Sequence, residues 1–460
     1  MPEPRPSRHS RPSSPCFVPT YPPRGTGPVP VWRGFIGERA RTAVFGWSDR
    51  AFELPYMRRN VFGYQVHIPL DPALVQRVLL DNAANYLKPE LVLKLLRPTI
   101  GRGLLTSDGE LWREQRRIVA ANFVPPAVEG TIPAFAEAAE AKMADWSAGV
   151  RDMAAEATAT TMGIISDTLF AGDPRLTSPA ATDHIRAALD GVSGARLQVL
   201  LGLPLVPWSF RGLKGHRGQK YLRETLTRVV RDRLPDGGPD DFLGRLIRQL
   251  NEKFEPEEAL TLAVDNAATF YLAGHETTAN ALTWTLYLLS EQPEWQERAA
   301  AEARQALAVP LANLPDRLPL LRRVLDETLR LYPPAPRMDR EAAAADRLGK
   351  HEVGKGDIVS IWPWLIHRHR QYWSDPDVFD PDRFLPEAKA GRHRFQYLPF
   401  GAGPRVCVGA RFATAEALTV LAYWLSRWTF APMPGREVRV SGLVTLRPAG
   451  GLPLRIAKRA

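Results

Sequence analysis

Residues 256–290 set the tightest limit on the fold. Pro256, Glu257 and Glu258 stand where the first turn of a helix favours proline and acids. The segment runs on to about Ser290, which at 1.5 Å per residue makes a rod of about 50 Å. Its middle reads Ala273-Gly274-His275-Glu276-Thr277-Thr278, a poor helix interior with apolar residues on both sides. Thr277 is placed to bond back to the carbonyl of Ala273, one turn earlier, and Gly274 leaves a gap on the same side. A gap and a hydroxyl in a local kink make room for a diatomic ligand and a water. Residues 130–250 also read as mostly helical, broken by glycine and proline.

The 460 residues are 45% hydrophobic and 24% charged, ordinary for a globular enzyme, and no break in composition divides them. One large domain over 31–460 is expected. Residues 1–30 differ: ten prolines, with Arg5, Arg8, Arg11 and Arg24, read as an arm that hugs the surface or stays disordered, and disorder fits the composition better. A net charge of +10 suits an anionic partner. Nucleic acid is not expected, because no lysine and arginine run is interleaved with aromatics and no zinc-finger spacing occurs. There is no apolar run long enough to span a membrane and no secretory apolar core, so a cytoplasmic protein is expected. Cys16 and Cys407 stand in unrelated contexts, which suits a reducing compartment.

Cys407 follows a glycine- and proline-rich loop, Phe400-Gly401-Ala402-Gly403-Pro404-Arg405-Val406, and precedes Val408-Gly409 and a helical period at Ala413, Ala417, Val420, Leu421, Trp424 and Trp428. Unpaired N–H groups and the helix dipole favour a thiolate there. Gly401 and Gly403 open backbone conformations and close approach. Arg405 can face an anion. Thiolate, close-approach loop and cation together suit an iron porphyrin with carboxylate arms. A buried structural cysteine beside a turn fits the same residues.

Further upstream, Ser107 or Asp108 can cap a helix carrying Trp112 and Arg116 on one face. An indole N–H and a guanidinium suit a carboxylate, and a core tryptophan beside a solvated arginine is the plain alternative. Arg113 and Arg117 fall on another face. Tyr64–Ile68 alternates like a strand, and Pro72–Leu80 reads as a helix. Residues 319–332 form a helix in which Glu327 and Arg330 can pair.

The loop around Cys407 resembles the haem-binding loop of the cytochrome P450 family, Phe-x-x-Gly-x-Arg-x-Cys-x-Gly, at Phe400, Gly403, Arg405, Cys407 and Gly409. Three further stretches resemble the same family: Trp112-x-x-x-Arg116, the oxygen-activating Ala273-Gly274-x-Glu276-Thr277-Thr278, and Glu327-x-x-Arg330 with Arg383 in Phe379-Asp-Pro-Asp-Arg-Phe384. Asp382 stands where the family usually has glutamate. The resemblance covers 31–460 and implies a mainly α, triangular domain with a minor antiparallel β-region.

The resemblance implies a monooxygenase with haem b (iron protoporphyrin IX), Cys407 as axial iron ligand, and O2 as co-substrate. Trp112, Arg116, Arg340 and the Cys407 loop would hold the haem, with Ala273 and Gly274 above it. Glu276 and Thr277 would deliver protons to dioxygen. Thr269, Phe270, Leu272, Ala335, Pro336 and Arg337 are pocket candidates, Arg337 for a carboxylate substrate. Leu197–Trp208 falls where the family places a lid.

The expected reaction is hydroxylation or epoxidation of a small apolar fatty acid, terpenoid or steroid-like compound by a monomer. Electrons from NAD(P)H would arrive through a separate acidic ferredoxin with its reductase, or a flavodoxin. Arg113, Arg117 and the Cys407 loop would steer it. Rival readings are a haem-thiolate peroxygenase or isomerase, and a non-catalytic haem sensor. The acid–alcohol pair speaks against the first and the absence of room for an output domain against the second. The histidines show no metal spacing.

Overall fold

The computed structural model describes residues 17–27, 37–178, 210–234 and 238–459, with isolated positions between 181 and 188. The Leu197–Trp208 segment lies outside the described residues. Five helices frame the molecule: α1 (Gly109–Ala120), α2 (Met153–Phe170), α3 (Pro256–Ser290), α4 (Pro319–Leu331) and α5 (Ala410–Arg427). α3 has the bounds read from its proline–acid start and apolar course, and it runs as one helix through its glycine- and threonine-bearing middle. From Leu262 to Ser290 it is buried at every residue except Ala273, Gly274, Glu276 and Thr277. Burial on all sides explains why the whole helix is apolar rather than striped.

Two buried side chains of α3 fasten the loop that leads into α1. Asp265 accepts the Arg102 backbone N–H at 2.6 Å and pairs with Arg223 of the helix Phe210–Arg233. Asn266 accepts the Leu104 N–H at 3.0 Å and donates to Gln115 of α1 at 2.6 Å. At the other end of α3, Trp284 stacks on Tyr332 with centroids 4.0 Å apart and donates to the Leu446 carbonyl at 3.1 Å.

The larger sheet contains β1 (Tyr56–Val61), β2 (Tyr64–Pro69), β3 (Tyr86–Leu87), β4 (Met338–Ala342) and β5 (Ile358–Ile361), in the order β1-β2-β5-β4-β3. Its pairs are antiparallel except β2 with β5, where Val66 lies beside Ile358 in parallel register. The minor β-region is thus antiparallel-rich but mixed. A second sheet joins Trp428–Pro432, which leaves the end of α5, through Pro453–Lys458 to Gly149–Asp152 at the start of α2. The helix expected over Pro72–Leu80 is α-helical for Pro72–Gln76 and widens into a π-type turn over Arg77–Asp81.

Disorder is the wrong reading for the described part of the arm. Arg24 pairs with Asp377 and lies over the Phe52 ring at 3.9 Å, and the Thr20 carbonyl accepts from Tyr332 Oη at 2.6 Å. Aromatic and guanidinium groups, absent from a simple proline count, give this stretch something to bury.

Glu327 of α4 is fully buried. Arg330 grips it through Nε at 2.6 Å and Nη2 at 2.7 Å, the Asp380 N–H adds a bond at 2.8 Å, and Arg383 Nε stands at 3.5 Å. Arg330 spends its remaining donors on the carbonyls of His367, Pro376 and Val378. The charge network ties α4 to the loop 367–383. Asp382, the departure from the family pattern, pairs with Arg323.

Candidate active site

Cys407 lies just before α5, whose first capping position is Gly409. The Cys407 N–H bonds back to the Phe400 carbonyl at 2.9 Å and closes the loop. Gly401 and Gly403 both take positive φ, +70° and +71°. At Gly403 a Cβ would overlap the carbonyl oxygen of Leu79 in the π-type turn, so its missing side chain serves protein packing. We expect Gly403→Ala to break this contact. The check is absorbance at the Soret maximum per polypeptide, which should fall several-fold.

Cys407 is exposed, yet burial pushes its thiol pKa up, against the opposing pull of the Gly409 N–H and the Arg116 guanidinium. The two facts agree if the sulfur opens on a space inside the protein. The sulfur precedes the helix rather than capping it, and burial opposes the pull of the helix end.

An aromatic cluster sets this loop under the middle of α3. Phe412 of α5 packs edge-on to Phe123 at 6.0 Å, and Phe123 stacks on Phe270 of α3 at 5.8 Å. Phe270 also meets Phe242 at 4.8 Å. Its ring thus packs into the core cluster and is 9% exposed. Leu272 and Thr269 are buried as well, with Thr269 Oγ1 bonded to the Asp265 carbonyl at 2.8 Å. Ala273 is exposed on a helix that is otherwise enclosed. Ala335 is exposed too, between buried Pro334 and Pro336.

Thr277 Oγ1 donates to the Ala273 carbonyl at 2.8 Å, the bond that the spacing suggested. Gly274 also serves packing: a Cβ there would stand 2.8 Å from Cδ1 of Ile165 in α2. Glu276 turns away from Thr277's bond. Its Oε1 accepts from Thr445 Oγ1 at 2.7 Å and lies 3.5 Å from Arg447. The structure therefore does not join the acid and the alcohol directly.

At the rim, three cations crowd one another. Lys88 is pushed down to about 7, first by burial and then by Arg340 and Arg405. Arg340 is buried and pushed down to about 10 by burial and Arg405. Arg405 lies over the Trp112 ring at 4.2 Å and pairs with Asp108. Asp108 is at the capping position of α1 but makes no cap bond; it serves Arg405 and the Lys88 N–H instead. Arg116 is half-buried without an ion-pair partner among the described residues. Lys88 escaped the sequence reading because a lone lysine between two loops carries no spacing signal. Arg337 pairs with Asp339 at 3.0 Å and lies over Trp362 at 5.3 Å, so its charge is already met.

His367, which showed no metal spacing, is fully buried and accepts the Leu398 N–H at 2.7 Å. Burial and Arg330 push it down to about 3, which keeps it a neutral acceptor that steadies the approach to the Cys407 loop.

A long helix that between Leu262 and Ser290 opens only at its middle, a cysteine loop beneath it and an excess of cation at the rim define a helical protein built for a flat anionic prosthetic group. The cytochrome P450 family profile matches residues 52–447, and the chain belongs to that family. It is 33% identical to cyclooctatin synthase of Streptomyces melanosporofaciens over 386 residues, 81% of this chain and 82% of that one. It is 31% identical to cytochrome P450 714C3 of Oryza sativa subsp. japonica over 392 residues, 81% of this chain and 75% of that one. Among solved structures, CYP175A1 from Thermus thermophilus superposes with a TM-score of 0.71 at 29% identity, covering 88% of this chain and 92% of that one. The cytochrome P450DA heme domain gives 0.78 at 25%, covering 96% and 98%.

The protein is therefore a monooxygenase with haem as cofactor and O2 as co-substrate. Its residues fit haem. The Cys407 side chain is exposed, and mutually repelling Lys88, Arg340 and Arg405 would be relieved by propionates. Among the described residues no helix is long and apolar enough to cross a membrane.

Proposed function

We propose that Cys407 Sγ would bind the haem iron, that Arg340, Arg405, Lys88, Trp112 and Arg116 would hold the propionates, and that Thr277 and Glu276 would govern protons at the opening of α3. The observation that carries this reading is the local opening of a buried helix at Ala273, Gly274, Glu276 and Thr277 and nowhere else between Leu262 and Ser290. Bound haem supplies reductive activation of O2 and transfer of one oxygen atom to the substrate. Thr277 holds a hydroxyl at the opening through its bond to Ala273, able to accept one hydrogen bond while donating another. Glu276 is tied to Thr445 and Arg447, so it reaches Thr277 by leaving them or through water.

Thr277→Ala tests the proton role. Product formed per reductant consumed should fall several-fold, with the balance released as hydrogen peroxide. Unchanged coupling would remove Thr277 from proton delivery.

The substrate proposed is a small, neutral, apolar compound, terpenoid or steroid-like before fatty acid, hydroxylated or epoxidised. The Arg337–Asp339 pair supports this, because it leaves no free cation there for a carboxylate. The chain would work in the cytoplasm, with residues 31–460 as the catalytic domain and 1–30 as its arm.

Family members generally need a redox partner. An acidic ferredoxin or flavodoxin, fed from NAD(P)H, is proposed. Arg113 and Arg117 are weak candidates for steering it, since Glu110 and Glu114 pair with them at 2.7 and 2.6 Å. More charge is uncompensated in the cleft lined by Arg322, Lys389, Arg392 and Arg394, where Asp326 is the one carboxylate. Raising salt from about 0.01 to 0.15 M shortens the screening length from about 30 to 8 Å. Reduction by an acidic carrier should slow several-fold across that range in stopped-flow measurements, and a rate indifferent to salt would sink the docking proposal.

A further inference from the structure

Asp346 opens a short hairpin, Asp346–Leu348 with His351–Val353, far along the chain from the π-type turn Arg77–Asp81. Its side chain is only 6% exposed, and it gathers three groups from that turn and the strand after it. Arg77 holds it with Nη2 at 2.7 Å from Oδ1 and Nε at 3.3 Å from Oδ2. Tyr86, itself buried, donates its hydroxyl to Oδ2 at 2.7 Å. The side chain of Asn82, the residue that closes the turn, adds a further bond. Burial alone would raise the carboxyl, but these partners hold it well below the usual carboxylate range, so it stays ionised at neutral pH.

The other side of the turn meets the cysteine loop. The Leu79 carbonyl closes on Gly403 so tightly that a Cβ there would overlap it, with Leu80 Cα beside the same spot. The Gly403 carbonyl in turn accepts the Val406 N–H at 3.1 Å, and Val406 adjoins Cys407. On the loop's other flank, a Cβ at Gly401 would stand 3.2 Å from the Met338 sulfur. The loop is thus held between β4 and the turn. An α-helix aims each carbonyl along its axis at the N–H four residues on, and a π-type turn takes carbonyls off that line. Such turns are rare and gather at functional sites. Here the carboxylate grips the turn from one side, and the missing side chain of Gly403 receives its carbonyl on the other.

We propose that Asp346 positions Cys407: by gripping the π-type turn it sets the Leu79 carbonyl against Gly403 and fixes where the loop presents the sulfur. Asp346 is a positioning residue, acting through Arg77, Asn82 and Tyr86 and touching neither sulfur nor cofactor. The consequence for haem rests on the role proposed above for Cys407; the chain of contacts from Asp346 to the loop does not.

Amide hydrogen exchange of the purified holoprotein tests the contacts. Asp346→Ala should speed exchange several-fold in both 77–86 and 403–407, while the middle of α3 keeps its wild-type rate. Faster exchange in 77–86 with the cysteine loop unchanged would overturn the proposal. Equal acceleration in α3 would also overturn it, reducing Asp346 to general stability. The carbon monoxide spectrum tests the consequence. At equal haem content, the red-shifted Soret band of the reduced complex should be lost in mild urea several-fold faster in Asp346→Ala than in wild type, and an equal rate would overturn the proposal. If Asp346→Ala fails to fold, Arg77→Gln, which leaves Tyr86 and Asn82 on the carboxylate, carries both measurements with the same expected directions. A wild-type protein without the red-shifted band would refute the axial-ligand reading instead, and the exchange measurement would still decide the contacts.

Discussion

Cys407→Ala should abolish the red-shifted Soret band of the reduced carbon monoxide complex and leave oxygenation below detection. That band would report a cysteine thiolate bound to the haem iron, which alanine cannot supply. The other cysteine, Cys16, lies far along the chain in an unrelated context. The histidine nearest in sequence to the opening, His275, is buried and holds the Tyr271 carbonyl through Nδ1 at 2.6 Å. Folding should survive, because the loop is closed by the Cys407 backbone N–H, which alanine keeps. The variant protein should therefore be soluble and should either lack haem or bind it with an altered spectrum. Retention of the red-shifted band would refute the axial role and, with it, the account of the cations at the rim.

Glu327→Ala should be the most damaging change away from the haem. It strips the counter-charge from Arg330, which is fully buried, and from Arg383. Removing one member of a buried ion pair costs about 3–5 kcal/mol, against a total stability of about 5–15 kcal/mol for a typical protein. The variant should accumulate as insoluble or haem-poor protein, measured as haem absorbance per polypeptide and as the urea midpoint of any soluble fraction. Asp382→Ala is the internal control. Its partner pair with Arg323 is partly exposed, and such pairs contribute about 1 kcal/mol or less. If both variants behaved alike, the buried network would not be what holds α4 to the loop 367–383.

What could be read from the sequence was local. α3 is legible because proline and two acids mark its start and its apolar course is continuous. The Thr277 bond to Ala273 is legible because it spans one helical turn. The Glu327–Arg330 pair is legible for the same reason. What could not be read depends on elements far apart in the chain. Glu276 meets Thr445 and Arg447, which no period or spacing announces. Lys88 gains meaning only beside Arg340 and Arg405. Phe270 is drawn into a cluster with Phe123 and Phe242 by packing, not by its own helix. Local rules also misjudged Asp108, whose carboxylate goes to Arg405 across the fold rather than to its own helix end. The family resemblance carried the architecture, but the direction in which each side chain faces came from the tertiary structure.

The Asp265 fastening bears on how the enzyme's selectivity could be redesigned. One carboxylate holds the Arg102 backbone and Arg223 together, and a Cβ at Gly101 would overlap it. Residues 101–107 are thus a poor place for library mutagenesis, since altering their backbone releases two elements at once. Ala335, exposed between buried prolines and outside that fastening, offers a position where larger side chains can be tried while the scaffold stays put.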